Sequence, residues 1–199
     1  MRTLSSPAKI QAFLNGIAYD TECAARSPRW VMRERKATCF EGALLAACAL
    51  RRLGQRPRIV DLRAWNDDDH VIAVFEAGGR WGAVAKSNTT VLRFREPVYR
   101  SLRELVMSYF DVYINTAGQK TLRSYSRPLD LARFDARRWM TADEDLEYIG
   151  DRLDALPHTP ILTPRMIRAL APADPDLLRA VLLGANAAGL YKARKRPVR

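Results

Sequence analysis

One stretch of the chain, residues 39–94, constrains the fold most strongly, because a helix is followed there by strands that only short turns connect. Residues 39–54, CFEGALLAACALRRLG, have helical periodicity, with Thr38 as a cap and Gly54 as a stop. Strands are predicted at 58–65, 70–76 and 80–86 and near 91–94, with Gly78-Gly79 as a hairpin turn. Short turns join antiparallel neighbours, so we expect an α+β fold in which helix 39–54 packs on an antiparallel sheet built from about 58–94, with peripheral and C-terminal helices.

Weaker signals surround this segment. Ser6 followed by Pro7 predicts a helix start, and the amphipathic pattern of residues 101–114 predicts another helix. Residues 25–38 are basic and irregular, and we interpret them as a loop. From residue 140 the chain is acidic and interrupted by prolines. We therefore divide it into a core domain over 1–139, a helical C-terminal extension over 140–190 packed on that core, and a basic tail over 191–199.

The composition indicates an ordinary folded protein in a reducing compartment. With 199 residues, of which 48% are apolar, the chain is long and apolar enough for one packed domain. No run of about 18 apolar residues is present, and the first residues lack the apolar stretch of a secretion signal. The three cysteines are odd in number and have no repeating spacing, which argues against a disulfide framework. We expect a cytoplasmic thiol protein that does not enter a membrane.

The formal charge of +11 does not by itself indicate a nucleic-acid partner. Basic residues are mixed with acidic ones along most of the chain, and no nucleic-acid-binding motif is recognisable. The exception is the tail, YKARKRPVR, whose five basic residues we expect to be solvated. Nucleic acid is therefore not an expected partner.

A thiol and an imidazole are the candidate catalytic groups. Cys39 is at the start of the predicted helix, and His70 is on the first arm of the hairpin. A helix N-terminus and a nearby imidazole both favour the thiolate, which is the nucleophilic form, so we expect Cys39 to titrate below about 8.5. Cys48 is predicted to be a core residue, and Cys23 carries no signal. His158, which is flanked by prolines, is expected in a surface loop.

A catalytic imidazole needs a third group to hold its ring, and the hairpin register decides which group is available. A two-residue turn at Gly78-Gly79 places Ser87 opposite His70, whereas a three-residue turn places Asn88 there. An amide oxygen is a better acceptor for an imidazole N–H than a hydroxyl, so we favour Asn88. The alternatives are the acids of the turn before His70, which are Asp67, Asp68 and Asp69.

The pattern of residues 36–90 resembles the transglutaminase-like superfamily, part of the broader papain-like group. The resemblance consists of a helix-borne Cys followed by Phe-Glu-Gly, a His on a strand, and Gly-Gly-x-Trp leading into the neighbouring strand. It implies a Cys-bearing helix packed on an antiparallel sheet that carries the His and an acidic or amide residue. By this resemblance Cys39 would be the nucleophile and His70 the acid–base group, and the third member would fall near the end of the Trp81 strand.

Two positions depart from the family's pattern. The family usually carries an Asp about four residues after that Trp, where this chain has Ala85, and an aromatic two residues after the His, where it has Ile72. Either Asn88 takes the place of the missing Asp, as amides do in papain-like proteases, or the triad is incomplete.

Two functions follow from these residues. The first is acyl transfer or amide hydrolysis through a Cys39 thioester, on an amide or acyl substrate such as a protein or peptide, with no cofactor or metal. The second is a catalytically impaired domain that keeps the fold as a binding or scaffolding protein.

Overall fold

The computed structural model describes residues 3–22 and 24–194, which form seven helices and nine strands. The helices are α1 (Pro7–Asn15), α2 (Pro28–Glu34), α3 (Cys39–Arg52), α4 (Leu102–Met107), α5 (Glu147–Asp154), α6 (Pro164–Arg168) and α7 (Pro175–Leu182). The strands are β1 (Ala18–Tyr19), β2 (Lys36–Ala37), β3 (Arg58–Ala64), β4 (His70–Ala77), β5 (Arg80–Val84), β6 (Arg95–Tyr99), β7 (Leu122–Ser126), β8 (Leu129–Asp130) and β9 (His158–Pro160). The expected α+β class is confirmed.

The central sheet has the strand order β6-β5-β4-β3-β7-β9, with β8 also pairing with β3. Every pair in it is antiparallel, and β1 and β2 form a separate parallel pair. The predicted antiparallel sheet is therefore confirmed, but the predicted strand near 91–94 is wrong. Thr90–Leu92 is a 3-10 turn, and the next strand begins at Arg95.

Helix α3 begins where its sequence provides a capping box. The Thr38 hydroxyl accepts from the Glu41 backbone N–H, and the Glu41 carboxylate accepts from the Thr38 backbone N–H. The helix lies so close to the sheet that a Cβ on Gly42 would stand 2.2 Å from the Cβ of Lys86. This close approach fixes Cys39, the first residue of α3, at one end of the sheet.

The sheet separates two hydrophobic clusters. The face that α3 covers, called here the inner face, carries Ile59, Val71, Ala73 and Phe75. The opposite, outer face carries Val60, Leu62, Ile72 and Val74, which pack with residues of α4 and the segment after it. Since side chains alternate along a strand, successive residues of β4 belong to different layers of the molecule.

Two further predicted elements differ from the structure. Residues 25–38 are not a loop throughout, because Pro28 begins α2 after Ser27 in extended conformation, a favourable start for a helix. The helix predicted over 101–114 ends at Met107, since a 3-10 turn follows and the aromatic rings of Tyr109 and Tyr113 are buried there.

The C-terminal extension over 140–190 contains helices, but it also adds β9 to the edge of the central sheet. Of the tail over 191–199, residues 195–199 lie outside the described residues. Among the residues that the structure describes, no helix has the length and apolar character needed to cross a bilayer.

Candidate active site

The Cys39 thiol lies at the N-terminus of α3, beside the first residues of β4. Its Sγ is 3.9 Å from the carbonyl oxygen of Asp69. Burial raises the pKa of the thiol to about 11, although the backbone N–H groups of Val71 and Phe40 favour the thiolate. The expected titration below about 8.5 is therefore wrong for this conformation, because the loss of hydration outweighs the helix N-terminus.

The His70 imidazole is held by a backbone carbonyl. Its Nε2 lies 2.8 Å from the carbonyl oxygen of Leu92, and its ring stands edge-on to Tyr113 with centroids 6.5 Å apart. A carbonyl oxygen only accepts, so Nε2 carries the proton and Nδ1 presents its lone pair. Burial lowers the pKa of His70 to about 4, so the ring is neutral at physiological pH. Within the part of the chain that the structure describes, Nδ1 forms no hydrogen bond.

Cys39 and His70 line one cavity of about 70 Å³. They reach it from different layers, since α3 covers the inner face while the His70 ring packs beside Leu92 and Tyr113 of the outer cluster. No hydrogen bond joins the thiol to the imidazole among the described residues. The cavity is thus built at the end of the sheet, where the two layers meet, and not on one face of it.

Neither Ser87 nor Asn88, the two side chains predicted to orient the His70 ring, forms a hydrogen bond with it. Ala77 pairs with Arg80, so the turn has two residues and the three-residue register that favoured Asn88 is wrong. Asn88 does line the cavity, but its amide nitrogen and amide oxygen are both hydrogen-bonded to the main chain of Asn186. The Ser87 hydroxyl bonds to Thr89. In this structure Leu92 holds the imidazole instead.

The three acids of the turn before His70 also line the cavity, but they do not hold the ring. Asp67 accepts from the Thr121 hydroxyl at 2.8 Å, and Asp69 accepts from the Ala64 backbone N–H at 2.6 Å. Burial raises the pKa of Asp67 to about 6. The negative charge of Asp68 adds to the rise in the pKa of Cys39, so this acid opposes the thiolate.

The position at which the resemblance places an Asp contributes nothing to the cavity. Ala85 is buried, and its backbone N–H and carbonyl oxygen are both bonded to the side-chain amide of Gln11, at 3.0 and 2.9 Å. The contact fixes α1 against the chain leaving β5. Position 85 is therefore part of the packing between a helix and the sheet.

A second buried imidazole was missed by the sequence analysis. His158 is not in a surface loop but on β9, with only 8% of its side chain exposed, and its Nε2 is 2.8 Å from Asp61 Oδ2. Its Nδ1 lies 2.8 Å from the Leu156 carbonyl oxygen. Burial raises the pKa of Asp61, although the bond to His158 opposes the rise. Asp61 in the middle of an apolar strand was the one available sequence signal.

Comparison with protein families and with curated sequences identifies no relative of this chain. No protein-family model matches the chain, and no curated protein shows significant sequence similarity to it. The described residues contain no group of three or more His, Cys, Asp or Glu side chains arranged to hold a metal ion. Both described cysteines, Cys39 and Cys48, are free thiols.

Proposed function

We propose that this protein is a cysteine-dependent acyltransferase or amide hydrolase of transglutaminase-like type, with Cys39 as nucleophile and His70 as acid–base group. The observation that supports the proposal is the cavity itself. It is lined by a thiol at a helix N-terminus and by an imidazole whose Nδ1 lone pair is unengaged among the described residues. Those are the two groups that thiol-based acyl transfer requires. In this proposal the protein works in the cytoplasm, where its thiol stays reduced, and without a cofactor.

The proposed reaction moves one proton and one acyl group. Nδ1 of His70 accepts the thiol proton while Sγ of Cys39 bonds to the carbonyl carbon of the substrate. The electron pair moves to the carbonyl oxygen, near the Cys39 backbone N–H, which as a first-turn donor has no partner within the helix. When the intermediate collapses, the leaving group takes the proton from His70. Water or an amine then releases the acyl group from the thioester and returns the proton to Sγ.

The Leu92 carbonyl takes the orienting role in this proposal. A neutral carbonyl selects the Nε2–H tautomer, as a carboxylate would, but it stabilises the imidazolium less. Nitrogen NMR of the His70 ring tests this directly, and a protonated Nε2 with an unprotonated Nδ1 at pH 7 is expected. The opposite tautomer would remove the base from the proposed reaction.

Acylation of Cys39 is the experiment that tests the function. Incubation with a nitrophenyl acyl ester or an activated amide, followed by peptide mapping in the mass spectrometer, should place one acyl group on Cys39. Cys39→Ala should abolish that adduct and His70→Ala should slow its formation, whereas Cys48→Ala, the matched control, should leave it unchanged. Adducts that are spread over several cysteines, or absent from Cys39, would contradict the proposal.

The second candidate is a binding or scaffolding domain without turnover. Two observations favour it: burial holds the pKa of Cys39 at about 11, and the amide of Asn88 is bonded to Asn186 instead of His70. Under this function no acyl adduct forms on Cys39 with any probe, even when the cavity is opened.

A further inference from the structure

The C-terminal segment 182–194, called here the strap, lies over the cavity that holds Cys39. Four of its residues line that cavity: Leu182, Gly189, Leu190 and Tyr191. The strap includes a 3-10 turn over Ala187–Gly189, and most of its side chains are exposed or half-buried. A segment that buries little apolar surface is held mainly by polar contacts and detaches at low cost.

Two asparagine side chains hold the strap by its main chain. The amide of Asn88 donates to the Asn186 carbonyl oxygen at 2.9 Å, and its oxygen accepts from the Asn186 N–H at 2.8 Å. The amide of Asn66 makes the same pair with Arg194, donating at 2.8 Å and accepting at 2.9 Å. Each amide therefore pairs with both polar groups of one backbone residue, as a neighbouring strand would.

The backbone around Asn66 is set up for this contact. Asn66 adopts a left-handed φ of 55°, a conformation that Asn tolerates better than most residues. Its carbonyl oxygen accepts from the side chain of Asn115 at 3.0 Å, which fixes the turn. On the strap itself, the Tyr191 carbonyl oxygen accepts from the Thr116 hydroxyl at 3.1 Å.

The strap fits closely at one point. A Cβ on Gly189 would stand 2.9 Å from the ring of Tyr19 and 3.1 Å from the amide nitrogen of Asn88. Only glycine, which has no Cβ, can lie this close to Tyr19 and Asn88. The main-chain contacts at Asn66 and Asn88 require no particular side chain from the segment that they hold.

We propose that Asn66 and Asn88 form a main-chain clamp that binds a polypeptide segment, and that the strap occupies this clamp in cis and covers the thiol of Cys39. A peptide of another chain takes the same place when the strap leaves. The role of that peptide as an acyl substrate rests on the proposed function, whereas the clamp itself does not.

The cis contact is tested by the reaction of iodoacetamide with Cys39 in the full-length chain. Asn186→Pro removes the backbone N–H that donates a hydrogen bond to the amide oxygen of Asn88, and the φ of −73° at this residue suits proline. Asn186→Ala is the matched control, since it removes the same side chain and keeps the N–H. Loss of one hydrogen bond should raise the rate at Cys39 about fivefold in the proline variant relative to the alanine variant.

Cys48, which is buried in α3, serves as the internal reference. Equal rates at Cys39 in the two Asn186 variants, or a parallel rise at Cys48, would overturn the cis clamp. Gly189→Ala, which introduces the clash with Tyr19, is the second variant and should raise the rate at Cys39 tenfold or more, on the order expected for overpacking a tight contact.

Peptide binding in trans is tested with the Gly189→Ala protein and a synthetic peptide of residues 184–194. The peptide should lower the rate of Cys39 alkylation by iodoacetamide towards the wild-type rate. The same peptide with an N-methyl group at the Asn186 position, which lacks the N–H, should not. Equal protection by both peptides, or by neither, would overturn the main-chain clamp. Because these readouts need no turnover, a working clamp without acyl adducts on Cys39 would count against the proposed function alone.

Discussion

The inner and outer faces of the central sheet are built differently, and the candidate site draws on both. On the inner face α3 lies in close contact with the chain leaving β5, and Asp61 is paired with His158. On the outer face the His70 ring is held by a carbonyl and an aromatic edge. The resemblance to transglutaminase-like proteins implies only that the Cys-bearing helix packs on a sheet that carries the His.

This difference shows that the imidazole with a carboxylate partner, His158, is not the one that lines the cavity of Cys39, which is His70. His158 has the acid that a catalytic triad would supply, but neither it nor Asp61 lines the cavity of Cys39. His70 lines the cavity, but its hydrogen-bond partner, the Leu92 carbonyl oxygen, is neutral. We therefore expect a structural role for the inner pair, whereas a chemical role for His70 stays a proposal.

The largest expected effect is on the inner pair. His158→Ala removes the hydrogen-bond partner that lies 2.8 Å from the buried Asp61 carboxyl, and removing one partner of a buried pair in this way costs about 3 kcal/mol of unfolding free energy. Denaturant titration at neutral pH measures the loss. Adding Asp61→Asn to His158→Ala should cost less than the sum of the two single changes, and strict additivity would contradict the pairing.

A smaller effect is expected where α3 meets the sheet. Gly42→Ala places a Cβ 2.2 Å from the Cβ of Lys86, so α3 and the chain leaving β5 must separate, at a cost of about 2 kcal/mol in unfolding free energy. Gly150→Ala in α5 is the matched control, because the nearest atom to its new Cβ is 4.0 Å away. That change should be neutral or stabilising by up to about 1 kcal/mol through helix propensity. Equal losses in the two variants would show that the inner face is not tight at Gly42.

The effect that is smallest at neutral pH is a pH dependence that comes from the outer face, and it grows as the pH falls. The folded pKa of His70 is lowered from 6.5 to about 4, so the unfolded chain binds a proton in this range that the folded chain does not. Stability is therefore lost as the pH falls from 6.5 towards 4, by at most about 1.4 kcal/mol per pH unit.

His70→Gln should remove this part of the slope in unfolding free energy against pH. The raised pKa values of Asp61 and Asp67 act in the opposite direction, but they are present in both proteins and cancel in the difference. Identical slopes for wild type and His70→Gln would mean that His70 is not buried in its neutral form.

The part of the fold that could be predicted from the sequence depends on local signals. The capping box at Thr38 and the Gly78-Gly79 turn act over a few residues, so the start of α3 and the β4–β5 hairpin follow from the residue pattern. The helix α2 was missed because basic residues and Trp30 mask a short Ser-Pro start.

The parts that could not be predicted depend on distant segments. His158 is 97 residues from Asp61, and Asn186 is 98 residues from Asn88, and no local pattern links either pair. The group that holds His70 is a backbone carbonyl, which any residue at position 92 would supply. A search for side chains of the right type therefore led to Asn88, whose amide binds the strap.

The pH profile of Cys39 alkylation tests most directly whether thiol and imidazole act as a pair once the strap leaves. In the wild type the rate should stay low at neutral pH, because burial holds the pKa of the thiol at about 11. Gly189→Ala should raise the rate at pH 7, and His70→Ala added to that variant should remove most of the gain. If Gly189→Ala and the double variant give the same profile, His70 does not assist Cys39 and the proposed reaction is contradicted.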